Sequence, residues 1–275
     1  MEITDITIAL FIGVVFISLA CEFMDASLGM GYGTTLTPVL LLIGFAPLQV
    51  VSAVLLGQLV GGLVGGFAHS RLGNISLDFR RDEKVKKRLR GLGYLPRSTD
   101  SKIVFILVIC GVIGALVGVF SAVNIPSVAL KTYIGVMVLA IGIIILLRRT
   151  REGAISWKGL VGVGLLSSFN KGISGGGYGP LVTGGQIVSG GGVRSSVGNT
   201  TLAEAMVCIV AFLAYLFSEA SIFWTLAAAT SVGSIVAAPF AAVMVKKVDS
   251  QKLKIAIGVI TIVLGIFTLL KVYVF

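Results

Sequence analysis

The sequence predicts an all-α integral membrane protein, an inverted five-plus-five helix repeat with a short glycine-broken half-helix in each repeat. Three observations lead to that class. The 275 residues are 56% hydrophobic and only 12% charged, whereas soluble domains are about 25% charged. Several apolar runs reach the ~20 residues that cross a bilayer. Finally, an interrupted stretch, "FMDASLGMGYGTTLTP" (Phe23–Pro38), returns as "FNKGISGGGYGPLVTG" (Phe169–Gly184), offset by 146 residues.

Hydropathy divides the chain into ten segments. The first, Ile6–Leu28, is apolar until Glu22 and Asp25. Its acidic start, "MEITDIT", lacks the basic region of a signal peptide, so the segment is expected to be retained. Thr34–Gly44 is short. Leu48–Ala68 can span, and "GQLVGGLVGG" (Gly57–Gly66) within it has the small-residue spacing of close helix packing. Ile103–Phe120 and Val128–Leu147 complete the first half. The second half holds Gly159–Ile173, the short Pro180–Ser189, Val193–Phe217, Ile222–Val245 and Leu253–Leu270. Residues 1–275 are read as one transmembrane domain, with 1–147 the first repeat and 148–275 the second.

The formal net charge of +10 does not point to nucleic acid. The basic residues gather in short connections, where positive-inside topology explains them. The loop 70–102 holds Arg71, Arg80, Arg81, Lys84, Lys86, Lys87, Arg88, Arg90, Arg97 and Lys102, and 148–158 and 246–254 are basic too. Ser121–Ser127 and Ser218–Ser221 carry no basic residue. The basic loops are therefore expected in the cytoplasm and both termini outside, in the cell inner (cytoplasmic) membrane. "FRRDEKVKKRLRGLGYL" (Phe79–Leu95) reads as a solvated loop in preference to a surface helix on anionic lipid. The cysteines Cys21, Cys110 and Cys208 follow no metal or disulfide spacing, and no cofactor is expected. With one histidine, His69, and no H-E-x-x-H, the chain is not expected to be an enzyme. His69, next to the basic loop, reads as an interfacial residue.

The repeat carries the functional reading. The same offset sets Phe23 on Phe169, Asp25 on Lys171, Gly29 on Gly175, Gly31 on Gly177, Tyr32 on Tyr178 and Gly33 on Gly179; it continues to Gly44 on Gly190 and Gln58 on Glu204. Internal symmetry of this kind marks transporters built from two halves. An odd number of segments per half inverts the second. A helix of a dozen residues covers only ~18 Å at about 1.5 Å per residue, against a hydrocarbon core of about 30 Å. Each short helix that reaches its own surface must therefore start near the midplane. Irregular backbone at that depth has to be buried in protein or face water. Free N–H groups and the positive end of the dipole then make an anion site.

The candidate substrate-binding residues are Gly29, Gly31, Tyr32, Gly33, Thr34 and Thr35 from the first half. From the second come Lys171, Gly175, Gly176, Gly177, Tyr178, Gly179, Asn199, Thr200 and Thr201. Pro180 suits a first helical turn, where its missing N–H costs nothing. Glu22, Asp25, Lys171 and Glu204 fall inside apolar segments, where each would cost about 2.5–3.5 kcal/mol or more facing lipid; they are expected to face inward. Asp25 and Lys171 either pair across the pseudo-two-fold axis or leave Lys171 for the anion. Asp25, Gln58 and Glu204 are candidates for coupling or structural charge, with Glu204 a carrier of protons as the coupling ion. Arg194 reads as a positive-inside anchor.

With "GMGYG" (Gly29–Gly33), "SGGGYGP" (Ser174–Pro180) and "VGNTT" (Val197–Thr201), the chain resembles the sulfite exporter TauE/SafE family of small membrane proteins with two homologous halves. The family pattern in the first half is often G-x-G-G-G, from which Tyr32 departs, with Met30 at the variable place. The resemblance implies export of sulfite, of sulfonates such as sulfoacetate, or of related small organic anions. The residues themselves support only the sign of charge, and leave open an anion or small-solute channel that uses the same glycine loops as a pore. The partners expected are a small anion, protons and membrane lipid, with no nucleic acid. Oligomeric state is open, and a homodimer is compatible with the sequence.

Overall fold

The computed structural model describes residues 6–81, 94–147, 156–188, 191–218, 222–245 and 250–273. Among them lie ten helices: α1 (Ile8–Leu28), α2 (Tyr32–Ile43), α3 (Pro47–Arg71), α4 (Thr99–Asn124), α5 (Ser127–Leu147), α6 (Trp157–Ser174), α7 (Tyr178–Val188), α8 (Val193–Phe217), α9 (Trp224–Met244) and α10 (Ser250–Tyr273). Six of them are long and apolar enough to cross a membrane, whereas α2 is among the shorter apolar helices. The chain is an all-α multi-pass membrane protein.

Each helix starts where a local signal lets it. The Thr7 side chain accepts from Leu10 N–H at α1, and Ser156 accepts from Gly159 N–H at α6. The fourth helix begins four residues before its apolar run, because Ser98 caps it by accepting from Ser101 N–H. Such a polar first turn carries no hydropathy signal. The basic loop holds a small antiparallel hairpin, β1 (Phe79–Arg81) with β2 (Tyr94–Pro96), Phe79 opposite Pro96. The surface-helix alternative is thus replaced by strand at both ends of that stretch; residues 82–93 lie outside the described residues.

The bundle is apolar outside and, within an apolar core, buries its charged residues. On α4, Phe105, Ile109, Ile113 and Phe120 are exposed, a face suited to lipid tails. Glu22, Asp25, Gln58, Lys171 and Glu204 are all buried, as the cost of charge in hydrocarbon demands. The main packing partners are α4 with α6, α1 with α9, α5 with α10, and α3 with both α8 and α9. Small residues make these approaches close. A Cβ on Gly114 would stand 2.6 Å from the Leu165 carbonyl oxygen of α6, and one on Gly233 would stand 2.8 Å from Leu19 N of α1. The "GQLVGGLVGG" stripe does the same for α3: Gly62 abuts Ala205, Gly65 abuts Thr201 and Gly66 abuts Leu202. Van der Waals contact of this kind replaces the hydrophobic drive that lipid does not supply.

At the far end of α2, Lys271 Nζ donates to the Leu41 and Leu42 carbonyls at 3.1 and 2.8 Å. These are C-terminal carbonyls, where a cation is favoured by the dipole. The contact ties α10 to the half-helix.

Candidate functional site

The first long helix stops where Gly29 enters the left-handed region (φ 70°) and its N–H turns back to the Asp25 carbonyl. The sixth stops in the same manner: Gly175 has φ 72° and donates to the Lys171 carbonyl at 2.9 Å. Gly31 (φ 132°) and Gly177 (φ 80°) then turn the chain into α2 and α7. An L side chain rarely adopts such angles, so glycine is required at these turns. Tyr178 opens α7 two residues before the apolar start the sequence suggests, which leaves Pro180 in the first turn.

The two breaks meet. A Cβ on Gly33 would fall on the Gly175 carbonyl and stand 2.7 Å from Gly176 Cα; one on Gly179 would fall on the Gly29 carbonyl and stand 2.9 Å from Met30 Cα. Both breaks are buried apart from half-buried Met30. The Thr183 hydroxyl of α7 donates to the Gly29 carbonyl at 2.7 Å, and Thr37 Oγ1 of α2 lies 3.3 Å from where a Gly175 Cβ would be. These threonines occupy the same place in a shared G-Y-G-x-x-x-T string, Gly31–Thr37 and Gly177–Thr183. The sequence reading misses them, although the string was there to be found.

Charge is arranged around the breaks as a chain. Asp25 Oδ1 accepts from the Tyr32 N–H at 3.2 Å, capping the start of α2. Its Oδ2 accepts from Gln58 Nε2 at 2.9 Å. Lys171 Nζ donates to Gln58 Oε1 at 3.4 Å and to Glu204 Oε1 at 2.7 Å. Asp25 and Lys171 therefore do not touch as an ion pair: Gln58 stands between them, and the salt bridge of Lys171 is with Glu204. Glu22 lies apart from this chain and accepts from the Ser234 hydroxyl at 2.9 Å. Several polar atoms have no partner here: the hydroxyls of Thr34, Thr35, Thr37 and Tyr178, and Glu204 Oε2. Buried polar atoms left unpaired cost about 1–3 kcal/mol each.

Removal of the Asp25 carboxylate leaves both the Tyr32 N–H and the Gln58 amide without their acceptor. Asp25→Ala is expected to cost about 1–3 kcal/mol of stability, measured by thermal unfolding in detergent, with Asp25→Asn milder because its amide oxygen still accepts.

Not every residue singled out in the sequence joins the breaks. Thr200 does, since its Oγ1 is 2.8 Å from Thr183 Oγ1. Asn199 instead donates to Asp100 at 3.0 Å and Gln186 at 3.2 Å. Thr201 donates to the Val197 carbonyl at 3.0 Å, and its methyl faces α3. His69 is buried where an interfacial position was expected. Its Nε2 is 3.0 Å from the Ala26 carbonyl, and Nδ1 is 3.0 Å from the Asn74 amide. Arg194 is exposed, as suits an anchor. Gly172–Gly176 has the G-x-S-x-G spacing of a hydrolase nucleophile turn, but that turn joins a strand to a helix. Here Ser174 is the last residue of α6 and its hydroxyl donates to the Asn170 carbonyl at 2.6 Å.

An apolar outer face around a buried charged centre is the architecture of a multi-pass membrane protein. The family model "Sulfite exporter TauE/SafE" matches residues 90–268. The chain belongs to that family and is a membrane transporter. It is similar to the "Probable membrane transporter protein YtnM" of Bacillus subtilis (strain 168), with 28% identity over 269 residues, covering 93% of this chain and 81% of the relative. No solved structure matches it.

Proposed function

We propose that the protein is a secondary transporter that exports a small anion (sulfite, a sulfonate such as sulfoacetate, or a related organic anion) across the cytoplasmic membrane by alternating access. The observation that carries this reading is the direct closure of two buried glycine breaks on one another, beside a buried lysine and unpartnered hydroxyls. A closed contact supports a gated carrier over an open pore. The shared turn geometry at Gly29 and Gly175 supports two inverted repeats, as do the matched packings of α1 with α9 and α4 with α6.

The two half-helices differ in what they offer. Asp25 already occupies the first N–H of α2, while its counterpart, Lys171, stands in the last turn before the other break with its ammonium held by Gln58 and Glu204. The anion is therefore received mainly on the α7 side, by the Gly177–Gly179 backbone, the Tyr178 hydroxyl and the Lys171 ammonium, with Thr34 and Thr35 donating from α2. To reach an anion, Lys171 gives up Glu204, which then takes a proton in place of its lost counter-ion. That exchange couples protons to anion movement, and the two repeats rock about the site.

Sulfite, sulfate, sulfoacetate, taurine and acetate should be compared for their effect on the thermal midpoint of purified protein. Sulfite or sulfoacetate is expected to raise it, because a ligand that binds only the folded state stabilises by about 2.7 kcal/mol at a hundredfold its dissociation constant. Stabilisation by amines or metals alone would contradict the reading. In proteoliposomes, Glu204→Gln is expected to transport without responding to an imposed pH gradient; an intact response would remove Glu204 from the coupling step.

A further inference from the structure

A line of polar side chains runs from the centre to the first turn of α4. It begins at the break, where Thr183 donates to the Gly29 carbonyl, and passes to Thr200, 2.8 Å from Thr183. Thr200 accepts from Gln186 Nε2 at 3.0 Å, and Gln186 Oε1 accepts from Asn199 Nδ2 at 3.2 Å. The same Asn199 amide donates to Asp100 Oδ1 at 3.0 Å, and Asp100 Oδ2 accepts from the Ser76 N–H at 2.9 Å. Thr183, Gln186, Asn199 and Thr200 are buried, whereas Asp100 is half-buried in the first turn of α4, next to the basic loop.

We propose that this line is the cytoplasmic half of the substrate path, shut in this structure, and that Asp100 is the residue that shuts it. The substrate class rests on the anion-transport reading. Three features separate a path from a structural seam. The line is continuous from the break to a half-exposed residue, whereas a seam has no reason to connect those two places. Ser196 Oγ and Asn199 Oδ1 lie along it buried and without a partner, polar atoms that a solute passing along the line meets. Its inner donors are neutral hydroxyls and amides, which can hold an oxyanion without a fixed charge to trap it; conduction needs binding weak enough to release.

Asp100 completes the argument. A side-chain amide and a backbone N–H converge on its carboxylate, the same donors that an incoming oxyanion would use. In the closed state the protein's own carboxylate takes that place. Separation of the first turn of α4 from α8 frees the Asn199 amide and opens the line to the cytoplasm, while residues 76–78 stay with that turn through Ser98 and Ser101.

Thiol labelling tests this without any substrate, so its outcome is independent of whether the transported solute is an anion. Thr183→Cys is made with and without Asp100→Ala and treated in parallel with negatively and with positively charged methanethiosulfonates, labelling by either counting as access, in inside-out and right-side-out vesicles. Peptide mass spectrometry reads modification at the introduced thiol and at the native Cys21, Cys110 and Cys208, which are buried and serve as controls. The expected result is a several-fold rise at the introduced thiol on adding Asp100→Ala, in inside-out vesicles only, with the native cysteines unchanged. No rise, a rise only from the other side, or a parallel rise at the native cysteines would overturn the proposal. Ser196→Cys, nearly isosteric, reports on the same line if Thr183→Cys does not fold.

Discussion

Gly33→Ala is expected to abolish transport and to lower stability by more than the about 1–3 kcal/mol typical of core overpacking. A methyl group at Gly33 meets the Gly175 carbonyl and the Gly176 backbone. Main chain cannot rotate aside as a flexible side chain can, so the two breaks must separate. Gly176→Ala presses on the same contact from the other half, since a Cβ there would stand 2.8 Å from the Gly33 carbonyl carbon, and Gly179→Ala presses on the neighbouring contact with Gly29 and Met30. They should behave alike. Gly13→Ala is the control: a Cβ there meets nothing within 4 Å, and in a helix alanine is preferred to glycine by about 1 kcal/mol. Thermal unfolding of the four variants, with uptake into liposomes, separates a local steric effect from a general intolerance of alanine. Equal stability for Gly33→Ala and Gly13→Ala would show that the breaks do not touch.

The second large effect concerns Lys171 and Glu204. Both are buried, and their 2.7 Å contact is the salt bridge at the centre of the bundle. Loss of one member of such a pair leaves an uncompensated charge and costs about 3–5 kcal/mol, whereas replacing both by apolar groups of similar size is often neutral. Lys171→Met and Glu204→Met are each expected to destabilise by that amount. The double variant should recover most of the loss, giving a large coupling energy in the double-mutant cycle. Recovered stability should not bring recovered transport, because the proposed anion then finds no ammonium. If the double variant regains transport along with stability, the pair is structural only.

Much of the fold was legible because membrane helices announce themselves by length and hydropathy. The segment Val193–Phe217 agrees at both ends with α8, and most other boundaries shift by one to three residues. The four-residue shift at the start of α4 comes from a serine cap that hydropathy does not register. The repeat also led to the two matching breaks, where Gly29 and Gly175 share one turn geometry. What escaped depends on contacts between distant elements. Gln58 inserts between Asp25 and Lys171 only because α3 packs beside both breaks. His69 is buried because Asn74 reaches its ring and then the Ala242 carbonyl at 3.1 Å. The polar line to Asp100 exists only where α7, α8 and the start of α4 come together, and neither Asp100 nor Gln186 carries a motif. The hairpin at Phe79 and Tyr94 was hidden by the basic residues around it.

Counterflow of radiolabelled sulfite in proteoliposomes is the most direct test of an anion site between the breaks, with wild type compared against Lys171→Met/Glu204→Met. The account predicts saturable exchange by the wild type and none by the folded double variant. Wild-type exchange in that variant, or flux through the native protein that does not saturate, would contradict it.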